Sequence, residues 1–302
     1  MQLLITGGTG FVGSHAKAHF LAQGHEVTLL GTRPAPEGIE GSRCRYIQAD
    51  TTEPGEWQQA VGQADLILNL AGRTIFRRWT RRYKAQIRDS RIRTTQNLVD
   101  ALKPGRPAVL ISTSAVGYYG DGGDAELTEE APRGDDFLAA LARDWEAAAM
   151  GAVAKGARVV ITRFGIVMGR GGSLAKMVPA FRAFMGGPLG TGQQWFPWIH
   201  MEDLVAGLDF LYRHPELNGV FNLCGPHPVR NREFAQQLGK ALDRPAVVPV
   251  PTLALKLMMG ELADTLLASQ RALPAKLLAA GFQFKYPHLD TALADLLATA
   301  AD

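Results

Sequence analysis

The sequence predicts an α/β protein: a doubly wound parallel sheet followed by a smaller, discontinuous carboxyl-terminal α/β region. Three observations carry this. The chain opens with a short apolar run, Gln2 to Thr6, which passes at once into Gly7, Gly8, Thr9, Gly10, Phe11, Val12 and Gly13 and then into helix-like sequence. Strand-length apolar runs then alternate with helical stretches as far as Phe164, the pattern of parallel β-α-β units. Beyond Phe164 the connections turn glycine-rich, at Gly169 to Gly172, Gly186, Gly187, Gly190 and Gly192, as in loops that shape a pocket.

The opening strand, glycine turn and helix make a dinucleotide-binding unit of the Rossmann type. Glycines there allow a tight reversal, close approach of backbone amides to a pyrophosphate, and packing of the helix on the strand. The anion then sits at a helix amino terminus, where unpaired amides and the helix dipole favour negative charge. A nucleotide-binding domain is expected over 1–165, returning at about 201–224. A substrate-side region is expected over 166–200 and 225–302.

Composition bounds the function. The 302 residues are 46% apolar and carry a net charge of +3, too little for bulk attraction to nucleic acid or membrane. Cys44 and Cys224 are too few for a disulfide framework and read as small buried thiols. No apolar stretch reaches the roughly 20 residues that span a bilayer, and no secretory leader precedes the first strand. A soluble, cytoplasmic protein fits.

Glu26 to Leu30 is the second strand, and Gly31, Thr32, Arg33 follow it. Sites selective for NAD place an acid here for the ribose 2′-hydroxyl. With Gly31 in that place, Arg33 can accept a 2′-phosphate instead, which points to NADP(H); the plainer reading is an exposed loop arginine. Arg45 to Gln48 is the third strand. It ends at Asp50, for which an adenine contact and a helix cap are equally good readings. Leu66 to Leu70 is the fourth, closing on Asn69, Leu70, Ala71 and Gly72, small enough to let a cofactor lie across the sheet.

Arg73 to Arg93 holds nine arginines and lysines against one acid, Asp89. Such a run is ordinarily a solvated face, with a nucleic-acid patch as the remoter reading. Arg91, however, shares a helical stripe with Ile87, Thr94 and Leu98. A buried arginine needs an anion, and the cofactor is the favoured one. Ala108 to Ser112 is the fifth strand, trailed by Thr113, Ser114, Tyr118 and Tyr119; hydroxyls there orient a substrate or merely cap the strand. Arg158 to Arg163 is the sixth strand, with Arg163 facing the same crevice. Trp195, Phe196, Trp198 and His200 form an aromatic cluster before a helix, Glu202 to His214, capped or ion-paired near Asp203. His200 is a possible proton carrier, but no second ligand stands near it, so no metal site is expected. Val220 to Leu223 returns as a strand, Asn231 to Leu242 as an amphipathic helix, and the tail from Pro251 is helical with a break at Pro274.

From end to end the chain resembles the extended short-chain dehydrogenase/reductases, the NAD-dependent epimerase/dehydratase family. More narrowly it resembles an atypical epimerase-like subgroup with a small carboxyl-terminal domain of unknown function. The residues that carry this are the opening motif, Asn69 to Gly72, Arg78-Trp79-Thr80 with Ser90-Arg91, Gly186-Gly187-Pro188-Leu189-Gly190, Trp198-Ile199-His200, Gly281-Phe282-Gln283-Phe284 and Tyr286-Pro287. The resemblance implies NADP contacts at Thr32, Arg33, Leu70, Ala71, Gln86, Arg91 and Arg163, a catalytic hydroxyl at Ser114 or Thr113, and, weakly, a homodimer.

One departure is sharp. The family's tyrosine and lysine, four residues apart, move a proton while the nicotinamide moves hydride. No tyrosine of this chain has a lysine four positions on, and counting back from Glu146 the pair falls on Leu138 and Ala142. Two functions are therefore expected. The first is an oxidoreductase or epimerase on a small carbonyl or sugar-like substrate, with Ser114 orienting it and Tyr119, Tyr118, His200 or solvent supplying the proton. The second is an NADP(H)-sensing binding protein without turnover.

Overall fold

The computed structural model describes residues 1–39 and 41–298; Glu40 and residues 299–302, the end of the expected 225–302 segment, lie outside it. Seven strands form one parallel sheet: β1 (Gln2–Thr6), β2 (Glu26–Gly31), β3 (Cys44–Gln48), β4 (Leu66–Asn69), β5 (Val109–Ala115), β6 (Arg158–Phe164) and β7 (Gly219–Leu223). Their order across the sheet is β7-β6-β5-β4-β1-β2-β3. The winding reverses between β1 and β4, the point at which open α/β sheets bind ligands.

Helices cover both faces, which is why the strands read as continuous apolar runs. They are α1 (Phe11–Ala22), α2 (Gln58–Val61), α3 (Arg81–Ala101), α4 (Phe137–Met150) and α6 (Met201–Arg213), while α5 (Gly172–Arg182) packs in a separate core with Trp198. Alternation along β1 sends Leu3 and Ile5 to the core shared with α1 and α6, and Leu4 to the core shared with α2 and α3. Thr80 caps α3 by accepting from Tyr83 N at 3.1 Å, and Asp136 caps α4 by accepting from Ala139 N at 2.8 Å.

Two local expectations are corrected. The helix after the aromatic cluster is capped by His200, whose Nδ1 accepts from Glu202 N at 3.1 Å. Asp203 instead accepts from Lys285 N and Tyr286 N, at 2.7 and 3.0 Å, and so anchors the tail. The fifth strand runs through the hydroxyls rather than stopping before them, because Thr113 and Ser114 stay in register with Thr162 and Arg163 of β6.

The remaining chain forms α7 (Asn231–Ala241), α8 (Thr252–Met259), α9 (Leu262–Leu267), α10 (Ala275–Ala279) and α11 (Leu289–Leu297). α7 and α11 close a separate core around Trp198, Phe234, Leu238, Leu289 and Leu293. Arg271–Ala272 pairs with Glu126–Leu127, stitching the tail to the loop after β5. Among the described residues no helix is long and apolar enough to cross a membrane.

On the other side of the sheet from α3, α1 is tied to α6 through Asp209. Its carboxylate lies 3.1 Å from His19 Nε2 and accepts from Gln23 Nε2 and Arg213 Nε, each at 2.8 Å. Burial opposes its ionisation, but these hydrogen bonds prevail and hold it well below the usual carboxylate range. Since the folded pKa is depressed, the contribution is whole above an unfolded aspartate's value, about 4, and is lost as pH falls. Asp209→Asn is expected to lower stability by about 1–3 kcal/mol at pH 7 and by progressively less toward pH 3. Urea titrations across that range check it; a deficit independent of pH would exclude the carboxylate's charge as the cause.

Candidate functional site

The carboxyl ends of β1 and β4 are held together by one buried hydroxyl. Thr6 Oγ1 donates to Asn69 Oδ1 at 2.9 Å and accepts from Leu70 N and Ala71 N, both at 3.1 Å. Asn69 in turn donates to Thr95 Oγ1 at 2.8 Å and Ser112 Oγ at 3.0 Å. With both strand ends fixed, the glycine turn has little room. Gly7 has φ +67°, and a Cβ there would stand 3.0 Å from Leu70 O; one on Gly13 would stand 2.4 Å from Gly7 O. Gly7, Thr9, Gly10, Phe11, Val12 and Gly13 thus surround the start of α1, which has no side-chain cap. Leu70, Ala71 and Gly72 lie directly across from them. This cradle suits a diphosphate.

At the end of β2 the structure supplies a reason for the glycine at position 31. Tyr46 OH donates to Arg33 O at 2.5 Å, and any Cβ on Gly31 would lie 2.6 Å from that phenol oxygen. The place of an acidic ribose ligand is already filled. Thr32 and Arg33 are exposed at the rim, and Arg33 has no ion pair among the described residues. Asp50 closes a turn rather than capping a helix: Oδ1 accepts from Thr52 N at 3.0 Å and Thr52 Oγ1 at 2.7 Å, and the next helix begins only at Gln58.

Arg91 lies on the crevice side of α3, against Gly72, where a Cβ would come within 2.9 Å of its Cζ. It donates to Arg73 O at 3.0 Å and Ile87 O at 3.2 Å, and stacks 5.1 Å from the Trp145 ring. Burial pushes its pKa down to about 10, so it stays charged at neutral pH. No carboxylate pairs with it among the described residues. Gln86 is half-buried on the same helix.

The three remaining residues singled out in the sequence, Ser114, Tyr119 and Arg163, meet each other rather than open space. Arg163 donates from Nε to Glu146 Oε1 and from Nη2 to Glu146 Oε2, both at 2.8 Å, and from Nη1 to Tyr119 OH at 3.0 Å. Ser114 Oγ donates to Glu146 Oε1 at 2.7 Å, and Tyr119 OH donates to Asn222 Oδ1 at 2.7 Å. Burial pushes the Tyr119 phenol up to about 12 despite Arg163; it holds its proton at neutral pH. Burial opposes the charge on Arg163 too, but the bidentate pair with Glu146 overcomes it and raises its pKa. Every donor edge of Arg163 is engaged by protein, so its side chain points to the Glu146 pair rather than to a cofactor. Thr113, on the opposite face of β5 from Ser114, has a buried hydroxyl with no partner. Leu138 is half-buried beside Ile75, Trp79 and Phe137, and Ala142 is buried, so apolar contacts occupy the place of the absent proton relay.

Sequence reasoning missed the parts played by Glu146, Asn222 and Tyr46, and by Glu129, whose Oε1 accepts from Asn222 N at 3.0 Å. A signal existed for the first: a lone glutamate in an alanine-rich helix and an arginine near the end of an apolar strand both demand partners once buried. Their pairing across 17 positions had none. Elsewhere, a hollow lined by Gln2, Glu26 and Arg43 lies at the amino ends of β1 to β3, away from the glycine turn. Glu146→Gln leaves Arg163 buried with half its compensation and is expected to cost about 3–5 kcal/mol in urea unfolding; a loss under 1 kcal/mol would show that the pair does not organise the strand ends.

Comparison with known proteins agrees with this geometry. Residues 3–224 match the model of the NAD dependent epimerase/dehydratase family, and residues 250–296 match a domain of unknown function, DUF1731. The chain is 40% identical over 299 residues to the chloroplastic "Epimerase family protein SDR39U1 homolog" of Arabidopsis thaliana, covering 97% of this chain and 86% of that one. It is 37% identical to "Epimerase family protein YfhF" of Bacillus subtilis, over 99% and 98% of the two chains. The crystal structure of human epimerase family protein SDR39U1 (isoform 2) with NADPH superposes at TM-score 0.86 with 35% identity, over 99% of this chain and 100% of that one. On its sheet, its glycine cradle and these matches, the chain belongs to the NAD dependent epimerase/dehydratase family.

Proposed function

We propose that this protein binds NADP(H) along the carboxyl edge of its sheet and acts as an oxidoreductase or epimerase on a small carbonyl compound. The observation that carries the cofactor is the pairing of the glycine cradle with a strand end at which Tyr46 fills the acid's place and Arg33 has no ion pair among the described residues. That a relative sharing 35% of its residues is crystallised with NADPH supports the same reading. When bound, the cofactor supplies or accepts hydride. The chain's own residues bind and orient: the α1 amino terminus takes the diphosphate, Arg33 the 2′-phosphate, and Arg91 an oxygen of the ribose or diphosphate.

Proton movement is assigned by elimination among the groups named from the sequence. Tyr119 is engaged by Asn222 and Arg163, and His200 by the start of α6. Tyr118 and solvent remain; Ser114 is engaged by Glu146, and the Thr113 hydroxyl, unpartnered among the described residues, is buried on the opposite face of β5. An NADP(H)-responsive binding protein is the second reading, favoured by the apolar contacts of Leu138 and Ala142.

Fluorescence titration tests the cofactor. NADPH is expected to bind at least 10-fold more tightly than NADH, and Arg33→Ala to weaken NADPH by about 10- to 100-fold, the worth of one or two charge-assisted bonds, while leaving NADH unchanged. Equal losses for both nucleotides would refute the assignment. Screened over carbonyl compounds, wild-type protein is expected to oxidise NADPH and Tyr118→Phe to do so at least 10-fold more slowly; a complete absence of turnover favours the second reading.

A further inference from the structure

The mouth of the crevice carries charge that a bound dinucleotide does not explain. Arg73, Arg77 and Arg78 precede α3, and Arg81 and Arg82 open it. All five are exposed, and none forms an ion pair among the described residues. Other cations of the same stretch do: Lys84 pairs with Glu261, Arg88 with Asp144 and Arg93 with Glu53. Five unpaired guanidinium groups within ten positions repel one another unless an anion shares them.

Apolar surface lies beside this charge. Phe76 is 43% exposed, with Lys176 Nζ 4.7 Å over its ring. Leu257 and Met258 are 73% and 66% exposed at the end of α8. The turn that follows them lies next to the arginine segment, since a Cβ on Gly260 would stand 3.9 Å from the Arg78 side chain and Glu261 takes Lys84. Deeper in, Trp79 packs edge-on against Phe137 at 5.1 Å, and the half-buried Leu138 packs on the same small core as Trp79.

The polar groups of this wall face inward. Trp79 Nε1 donates to Ile75 O at 2.9 Å, Tyr83 OH to Thr74 O at 2.5 Å, and Ser90 Oγ to Ile87 O at 2.8 Å. A polyhydroxylated ring entering here would lose its water and gain few hydrogen bonds in return. A second copy of the chain fits no better, because a two-fold contact sets arginine against arginine.

Building on the reading of this crevice as an NADP(H)-dependent site, we propose that its substrate is an amphiphilic anion. Its phosphate or carboxylate head rests on Arg77 and Arg78, and its apolar body lies along Trp79, Leu138, Leu257 and Met258. Charge at the rim steers the substrate in and the apolar wall holds its body, with the head outside the reacting centre.

Calorimetry with dodecyl phosphate below its micellar concentration tests this, with inorganic phosphate, dodecyl maltoside and anionic phospholipid vesicles as the other arms. Dodecyl phosphate is expected to bind at least 10-fold more tightly than phosphate or the neutral detergent, and to weaken as salt rises from about 0.05 to 0.3 M. The double substitutions R77Q/R78Q and L257S/M258S are each expected to weaken it by 10-fold or more. NADPH titrated into the same samples should bind as in wild type, showing that the variants are folded. Equal binding of either control ligand, or unaltered binding by both variants, overturns the proposal. Binding to vesicles but not to monomeric dodecyl phosphate overturns it too, making the surface a membrane contact. If wild type takes dodecyl phosphate but not NADPH, the cofactor reading fails and the anionic site stands; if it takes NADPH but not dodecyl phosphate, only the present inference fails.

Discussion

The hydroxyl of Thr6 occupies the switch point of the sheet, and the geometry of the crevice depends on it. A parallel sheet leaves the carboxyl ends of its strands with amides and carbonyls that no neighbour completes, and the two halves of a doubly wound sheet diverge there. Thr6 Oγ1 binds the Asn69 side chain and two successive amides beyond β4 at once. The two loops that must flank a diphosphate are thereby kept at a fixed separation. The glycines follow from this constraint: with Leu70 O and Gly7 O so near, side chains at Gly7 and Gly13 have nowhere to go.

A second constraint lies one strand further along. Glu146 and Arg163 are both nearly inaccessible, side-chain exposures being 11% and 4%. Two buried charges are tolerable only when paired and further hydrogen-bonded, and here Ser114 and Tyr119 complete the shell. Residues that look catalytic by type and position are thereby recruited to structure. Tyr119 is a protonated phenol between an amide and a guanidinium, and Ser114 donates to a carboxylate. The crevice is left with the half-buried Tyr118 and an apolar wall, the Thr113 hydroxyl being buried on the other face of β5. That is a different chemical endowment from a tyrosine–lysine relay, and it separates cofactor binding from proton transfer in this molecule.

The carboxyl-terminal region is tied to the rest of the chain at several points. It is fastened by backbone pairing at Arg271–Ala272, by Asp203 on the amides of Lys285 and Tyr286, and by the core around Trp198. α8 contributes little to any core, burying only Leu255, yet it is positioned by Glu261 and Gly260 against the arginine segment. A helix held at its end while its apolar face stays open is suited to meeting a ligand.

How much of this was legible in the sequence follows from the range of the forces involved. The succession of strands along the chain, the glycine turn and the change of character beyond Phe164 are local: apolar runs, chain reversals and a helix start are written in neighbouring residues. The expectation at Gly31 and Arg33 was local as well. What escaped were the partners. Nothing in sequence spacing says that Glu146 takes Arg163, that Tyr46 fills the space beside Gly31, or that Asn222 engages Tyr119, because each partner arrives from a different strand or helix. The sequence by itself determined the sheet, the cradle and the absence of a tyrosine–lysine pair. Only the tertiary structure decided which polar side chains remain available for chemistry, since burial forces every charge and hydroxyl to find a partner and the fold alone selects which.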